Sequence, residues 1–175
     1  CCESFEERKD MFVSPEAIVY SDSCHNVTVL KYAPNNTSKP GKKSSRNGIE
    51  EFPIHQDFVE KTYAFGDYVA TASSGSYEVK IFKHNKGYDT PIANLHGHEN
   101  RVTCIRMNQD IVITASWDKT IRVWRIADER EILTIYGHNR TLHNLEFDTA
   151  TNTMLTAGGD NLIKEFDLTK GHWLR

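Results

Sequence analysis

Proline is scarce, with five in 175 residues, and cysteine scarcer still: four thiols, Cys1, Cys2, Cys24 and Cys104, with no C-x-x-C pair among them. A disulfide framework and a zinc cage are both argued against, and free thiols in a reducing compartment are expected. Charge of one sign is missing too: 21 Lys and Arg against 24 Asp and Glu leave a net charge of −3. That excludes a strongly basic nucleic-acid binder and an acidic solvating tail. The longest clear aliphatic run is Ile111-Val112-Ile113, far too short to cross a bilayer, so no membrane insertion is expected. Helical 3.6-residue periodicity is not sustained anywhere. Catalytic signatures are lacking as well. Gly41-Lys42-Lys43-Ser44 has no upstream glycine for a phosphate loop, there is no G-x-S-x-G, and His98-Glu99 has no second histidine at metalloprotease spacing. No catalytic residue, small-molecule substrate, cofactor or metal is therefore expected.

What the chain does have is a repeat. Three stretches align: 53–82, 95–126 and 135–168. Their marker histidines, His55, His98 and His138, lie 43 and 40 residues apart, and the closing aromatics, Phe82, Trp124 and Phe166, lie 42 and 42 apart. A weaker copy stands upstream, where Ile18-Val19-Tyr20-Ser21 answers to Ile111-Val112-Ile113-Thr114 and Val27-Thr28-Val29-Leu30 to Ile121-Arg122-Val123-Trp124. Within the best copy, Val102 to Met107, Asp110 to Ala115, Thr120 to Arg125 and Glu131 to Tyr136 are strand-length runs rich in β-branched residues, parted by turn chemistry at 108–110 and 117–119. The middle strand is apolar or small on both faces, which suits a sheet packed between two others.

The segment Gly97-His98 … Thr114-Ala115-Ser116-Trp117-Asp118 … Ile121-Arg122-Val123-Trp124 resembles a WD40 repeat. The resemblance covers 54–168 well and 12–32 poorly. It implies an all-β fold, a partial WD40 β-propeller of about three to four four-stranded blades. Residues 1–11 are read as a connector or blade remnant, 12–32 as a degenerate repeat, and 33–52 as a flexible polar insertion. Repeats follow at 53–94, 95–134 and 135–175, the last truncated. A propeller needs four to eight blades, and the chain begins at Cys1 rather than Met, so a partial ring of a longer protein is expected, its remaining blades outside this chain. In this family the marker residues form a hydrogen-bonded tetrad, carried over here to His98, Thr114, Asp118 and Trp124. The chemistry fits: Asp accepts, neutral His bridges, Thr does both and Trp only donates. The tetrad is structural, not a catalytic triad. Its other copies decay, with Phe82 and Phe166 for the Trp and Gly75 or a neighbour for the Asp.

Members of the family serve as non-catalytic platforms for other proteins or peptides. The resemblance implies a protein-binding face bearing Arg101, Thr103 and Trp117 with Phe58, Glu60 and His143, and the matching positions Ser74, Thr141 and Gly159. One visible arginine there argues for a neutral or mixed peptide over a highly phosphorylated one. A narrower alternative is the substrate receptor of an F-box/WD40 ubiquitin ligase. Trp124-Arg125-Ile126-Ala127 and Phe166-Asp167-Leu168-Thr169 do not carry the Trp-Asp-x-Arg ending that docks on cullin-4 adaptors, and the Phe-Arg-Arg-Gly of lipid-binding propellers is absent. Lys39, Lys42, Lys43 and Arg46 make a short basic loop, read as solvated, with nuclear targeting or phosphorylation at Ser44 or Ser45 as functional readings. The expected location is cytoplasmic or nuclear, where the sequons at Asn26, Asn35, Asn36 and Asn139 carry no glycan.

Overall fold

The computed structural model describes residues 10–13, 17–21, 26–31, 49–83, 90–169 and 172–173. They form sixteen strands, with no helix among the described residues, in four sheets of four antiparallel strands, each sheet in chain order. The first holds β1 (Asp10–Val13), β2 (Ala17–Ser21), β3 (Asn26–Lys31) and β4 (Ile49–Pro53). In the second are β5 (Val59–Phe65), β6 (Tyr68–Ser73), β7 (Val79–Lys83) and β8 (Ala93–Leu95). The third comprises β9 (Val102–Met107), β10 (Ile111–Ser116), β11 (Ile121–Arg125) and β12 (Arg130–Ile135). The fourth comprises β13 (Leu142–Asp148), β14 (Thr153–Gly158), β15 (Ile163–Asp167) and β16 (His172–Trp173).

The sheets stack as blades. The inner strand of each lies on the first two strands of the blade before it: β5 on β1 and β2, β9 on β5 and β6, β13 on β9 and β10. This explains the doubly apolar middle strand. On β10, Val112 enters the core shared with the second blade, while Ile113 and Ala115 enter the core shared with the fourth. All three are fully buried. Each aliphatic side chain so placed contributes about 1.5–3 kcal/mol over an exposed one.

The structure differs from the sequence reading at four places. Residues 49–52, read as the tail of the polar insertion, and Pro53, read as the start of the next repeat, form β4 and pair with β3, so their strand character comes from an existing edge and not from an alternating pattern of their own. The fourth blade is not truncated: β16 is short, yet it closes the sheet by pairing Phe166 with Trp173 and Asp167 with His172. In the first blade Ser21 pairs with Val27 as Thr114 pairs with Arg122, so Val27 answers to Arg122 and not to Ile121. Asp10 and Met11, placed in the leading connector, belong to β1. The basic loop at 39–46 lies outside the described residues.

Candidate functional site

His98 lies between β8 and β9, Thr114 sits on β10, Asp118 in the turn to β11, and Trp124 on β11. The indole N–H can only donate, and it donates to Thr114 Oγ1 at 2.9 Å. The Thr114 hydroxyl then donates to His98 Nε2 at 2.6 Å, and His98 Nδ1–H donates to Asp118 at 2.7 Å. The chain of donors ends on a carboxylate that also accepts the Thr120 hydroxyl at 2.6 Å, the Thr120 amide at 2.8 Å and the Glu99 amide at 3.1 Å. Burial opposes ionisation of Asp118, but hydrogen bonds from His98 and Thr120 outweigh it and hold the carboxyl well below its ordinary range. The lock therefore pins the loop before β9 to the β10–β11 turn. The glycine before the histidine has its own reason. Gly97 has a φ of 154°, and a Cβ there would sit 2.5 Å from the Arg122 guanidinium and 3.1 Å from the Trp124 ring.

The neighbouring blades keep parts of this lock. In the fourth, His138 Nδ1 meets Asp160 at 2.8 Å and Nε2 meets the Thr156 hydroxyl at 2.8 Å, while Phe166 leaves Thr156 without an indole donor. In the second, His55 Nε2 meets Thr71 at 2.8 Å, but Gly75 stands where Asp118 does. Glu78, at the register position of Thr120, turns toward His55 instead, its Oε1 3.4 Å from Nδ1 and 3.1 Å from Lys80 Nζ. That separation leaves the buried Nδ1 without a hydrogen bond among the described residues. Burial and then the Lys80 charge push the His55 imidazole down to about 4.

Sequence reasoning missed a basic residue that recurs two positions before the closing aromatic: Lys80, Arg122 and Lys164. Lys80 and Lys164 donate to the carbonyls of Ile54 and Gly137, each the residue before a marker histidine. Arg122 pairs with Glu131 at 2.7 Å and lies 6.0 Å from the Trp124 ring centre. Identical offset in three repeats was the available signal.

The residues expected on the binding face share one structural device. The inner strands of the second, third and fourth blades each carry a bulge near their start, and the unpaired residue is Glu60 in β5, Thr103 in β9 and His143 in β13. Bulges re-aim side chains and recur beside functional sites. Just before each bulge, a backbone bond joins the strand to the facing turn: Ser74 to Phe58 at 2.8 Å, Trp117 to Arg101 at 2.9 Å, Gly159 to Thr141 at 2.7 Å. In the third blade the Arg101 guanidinium lies 5.5 Å from the centre of the Trp117 ring, and Trp117 is 41% exposed. Phe58 is exposed to the same degree, 42%. Thr103 is half-buried, and its hydroxyl is committed to the Leu142 carbonyl at 2.9 Å, tying the third blade to the fourth. His143 is exposed, and with Thr141 and Arg140 it surrounds Gly159, where the fourth blade has no counterpart to Trp117. Arg140 was absent from the sequence reading. With it, charge grades across the face, from Asp57 and Glu60 on the second blade to Arg101, then Arg140, on the third and fourth.

Inward of the bulges lies a cleft of about 620 Å³ lined by Lys61, Tyr63, Thr103, Arg106, His143 and Glu146. Arg106 spans three blades there, ion-paired with Glu146 and 5.1 Å from the Tyr63 ring centre. Its donors are engaged in structure. Among the described residues no group of three His, Cys, Asp or Glu is arranged to hold a metal, and no helix is long and apolar enough to cross a membrane.

Comparison with known proteins agrees with this architecture. The family model "WD domain, G-beta repeat" (WD40) matches residues 89–125. Mitochondrial division protein 1 of Eremothecium gossypii is 33% identical over 98 residues, covering 52% of this chain and 14% of that protein. The ribosome biogenesis protein WDR12 homolog of Drosophila yakuba is 29% identical over 131 residues, 71% of this chain and 31% of its own length. F-box/WD repeat-containing protein sel-10 of Caenorhabditis elegans is 35% identical over 83 residues, 45% and 14% respectively. The chain thus spans less than a third of these relatives. Among solved structures, the computationally designed Ika4 protein superposes with a TM-score of 0.75 at 18% identity, over 95% of both chains. The designed Ika8 protein gives 0.73 at 17% identity, over 92% of this chain and 46% of its own. Repeat period, four-stranded blades, the hydrogen-bonded lock and these matches converge: this chain is a WD40-repeat protein of the propeller type.

Proposed function

We propose that the chain is a non-catalytic platform for protein partners, and that its docking face is the rim bearing Phe58, Glu60, Arg101, Thr103, Trp117 and His143. WD40 repeats as a family generally serve as scaffolds, which supports the reading. One observation carries it: Trp117, exposed and stacked against Arg101, projects from a turn that the lock of His98, Thr114, Asp118 and Trp124 holds rigid. Stability gains little from leaving an indole in water, whereas Trp and Arg on a stiff frame anchor interfaces. The graded charge favours an extended peptide of mixed charge, its basic part toward Asp57 and Glu60 and its acidic part toward Arg101 and Arg140. The setting is the cytoplasm or nucleus.

A displayed library of peptides selected on the wild-type chain tests this. Selected peptides should lose most of their affinity for Trp117→Ala and Arg101→Ala, while both variants melt with the wild type. Undiminished binding to both variants overturns the assignment. The similarity to sel-10, an F-box/WD repeat-containing protein by name, favours a second and narrower reading, the substrate receptor of a ubiquitin ligase with its other domains outside these residues. Ubiquitin-chain assembly on a captured peptide by a ligase containing the full-length protein would separate it from a plain scaffold.

A further inference from the structure

At the end of the blades opposite the bulged rim, a groove of about 460 Å³ runs between the third and fourth blades, lined by Ile111, Ile132, Leu133 and Leu168 and edged by Asn152. Its two sides belong to different sheets. Ile111 opens β10 and Leu133 lies on β12, whereas Leu168 follows β15 and its amide donates to the Asn152 carbonyl at 3.0 Å. Ile111, Leu133 and Leu168 are only partly buried against the core these two blades share. Ile132 is 47% exposed, and β12 bulges there: Val123 pairs with Leu133 and Trp124 with Glu131, which leaves Ile132 unpaired and re-aims its side chain. We propose that this groove is a second docking site, separate from the rim, for an extended peptide that inserts one aromatic side chain and carries a Lys or Arg beside it.

Two observations select that occupant. The first is the neighbouring junction. Tyr68 pairs with Lys83 as Ile111 pairs with Arg125, so Tyr68 and Ile111 hold one position on successive blades. The Tyr68 ring packs against the core shared by the second and third blades, and Lys83 Nζ lies 5.0 Å from the ring centre. The hollow that remains at that junction is bordered by Asp67, Lys83 and Gln109. A ring with a cation over it covers at one junction what the smaller Ile111 leaves open at the next, so the molecule itself shows the chemistry that fits. The second observation is charge. Among the described residues, Asp110, Asp128, Glu129, Asp148 and Asp167 stand in or beside the turns at this end of the two blades. Against them stand Arg125 and Arg130, and Arg125 is already paired with Asp128 at 3.1 Å. An acidic border around an apolar groove favours a basic residue next to the inserted side chain, and it disfavours a fatty acid or an anionic lipid surface.

The test is a displayed library of heptapeptides selected on the full chain carrying Trp117→Ala, so that failure of the rim and failure of the groove are told apart. Enriched peptides should pair Phe, Tyr or Trp with a neighbouring Lys or Arg. Ile132→Ser, and Ile111→Tyr, which fills the groove as Tyr68 covers the junction before, should each weaken their binding about tenfold or more. Asp148→Asn and added salt should weaken it by a smaller factor. Leu162→Ser, at an apolar residue exposed in the β14–β15 turn at the rim end, should leave it unchanged. Should Ile111→Tyr fail to fold, Ile132→Ser decides, since that exposed change should leave the melting temperature in place. No enrichment, enriched peptides lacking either the aromatic or the basic residue, binding that Ile132→Ser leaves intact, or capture by phosphatidylserine vesicles in place of peptides each overturns the proposal.

Discussion

The third blade and its two neighbours are built to one pattern and held to different degrees. Ile121 and Ile163 are the same residue at the same register position, one wholly buried and the other largely in water. His98, His138 and His55 all bond a threonine, yet only His98 lies in an unbroken chain running from an indole to a carboxylate. In a stacked array, local sequence specifies a blade, whereas its stability depends on the blades beside it and on completion of its own polar network.

The largest test of that contrast is a single substitution made twice. Ile121→Ala should cost about 3 kcal/mol by opening a cavity between blades. Ile163→Ala, followed by the same denaturant unfolding, should cost under about 1 kcal/mol. Equal losses would mean that the fourth blade's face is covered after all.

Acid separates the second blade from the third. The folded His55 imidazole sits at about 4 against an ordinary 6.5, so the unfolded chain binds the extra proton between those values. Its contribution is complete above pH 6.5 and is lost as pH falls toward 4, an effect on the order of 3 kcal/mol. Asp118 is shifted down from 3.8, so its contribution is present above that value and fades only in stronger acid. Unfolding measured between pH 7 and 4 should show a slope that His55→Gln flattens and Asp118→Asn leaves in place; an unchanged slope in His55→Gln would break this account.

Next in size come the lock residues themselves. Asp118→Ala strands His98 and the Thr120 and Glu99 donors, and should cost about 2 kcal/mol. Trp124→Phe removes one donor, at about 1 kcal/mol. The reverse change, Phe166→Trp, should raise the melting temperature of the fourth blade by supplying Thr156 with its missing donor. No gain, measured by calorimetry, would show that Gly137 packs too tightly on that ring to admit an indole.

The smallest expected effect concerns one turn. Tyr77, Lys119 and Asn161 sit at the same position before the third strand of their blades, with φ of 58°, 72° and 61°. That left-handed conformation suits asparagine and strains a tyrosine. Tyr77→Asn should therefore stabilise the second blade by about 1 kcal/mol or less.

Much of this was legible in advance. The strands of the third blade fall within one residue of the runs read from β-branched content, since period-two burial leaves a direct trace in sequence. Hydrogen bonds of the lock follow the marker spacing because Gly-His, Thr and Asp must meet across one turn. Less legible were β4 and β16, whose strand character comes from pairing with an existing edge rather than from propensity. Glu78 was invisible for another reason. It approaches His55 from the position of a threonine, three residues from the vacancy at Gly75, a substitution in space and not in alignment.

Sequence alone determined the repeat, the all-β blade and the residue types of the lock, because each rests on contacts within about forty residues of chain. Tertiary structure decided three further matters. It chose which of two equivalent isoleucines is buried, because burial belongs to the neighbouring blade. It placed Glu60, Thr103 and His143 at bulges, because register is fixed by the partner strand. It also set Arg101 against Trp117, because two loops sixteen residues apart meet only once the sheet between them has formed.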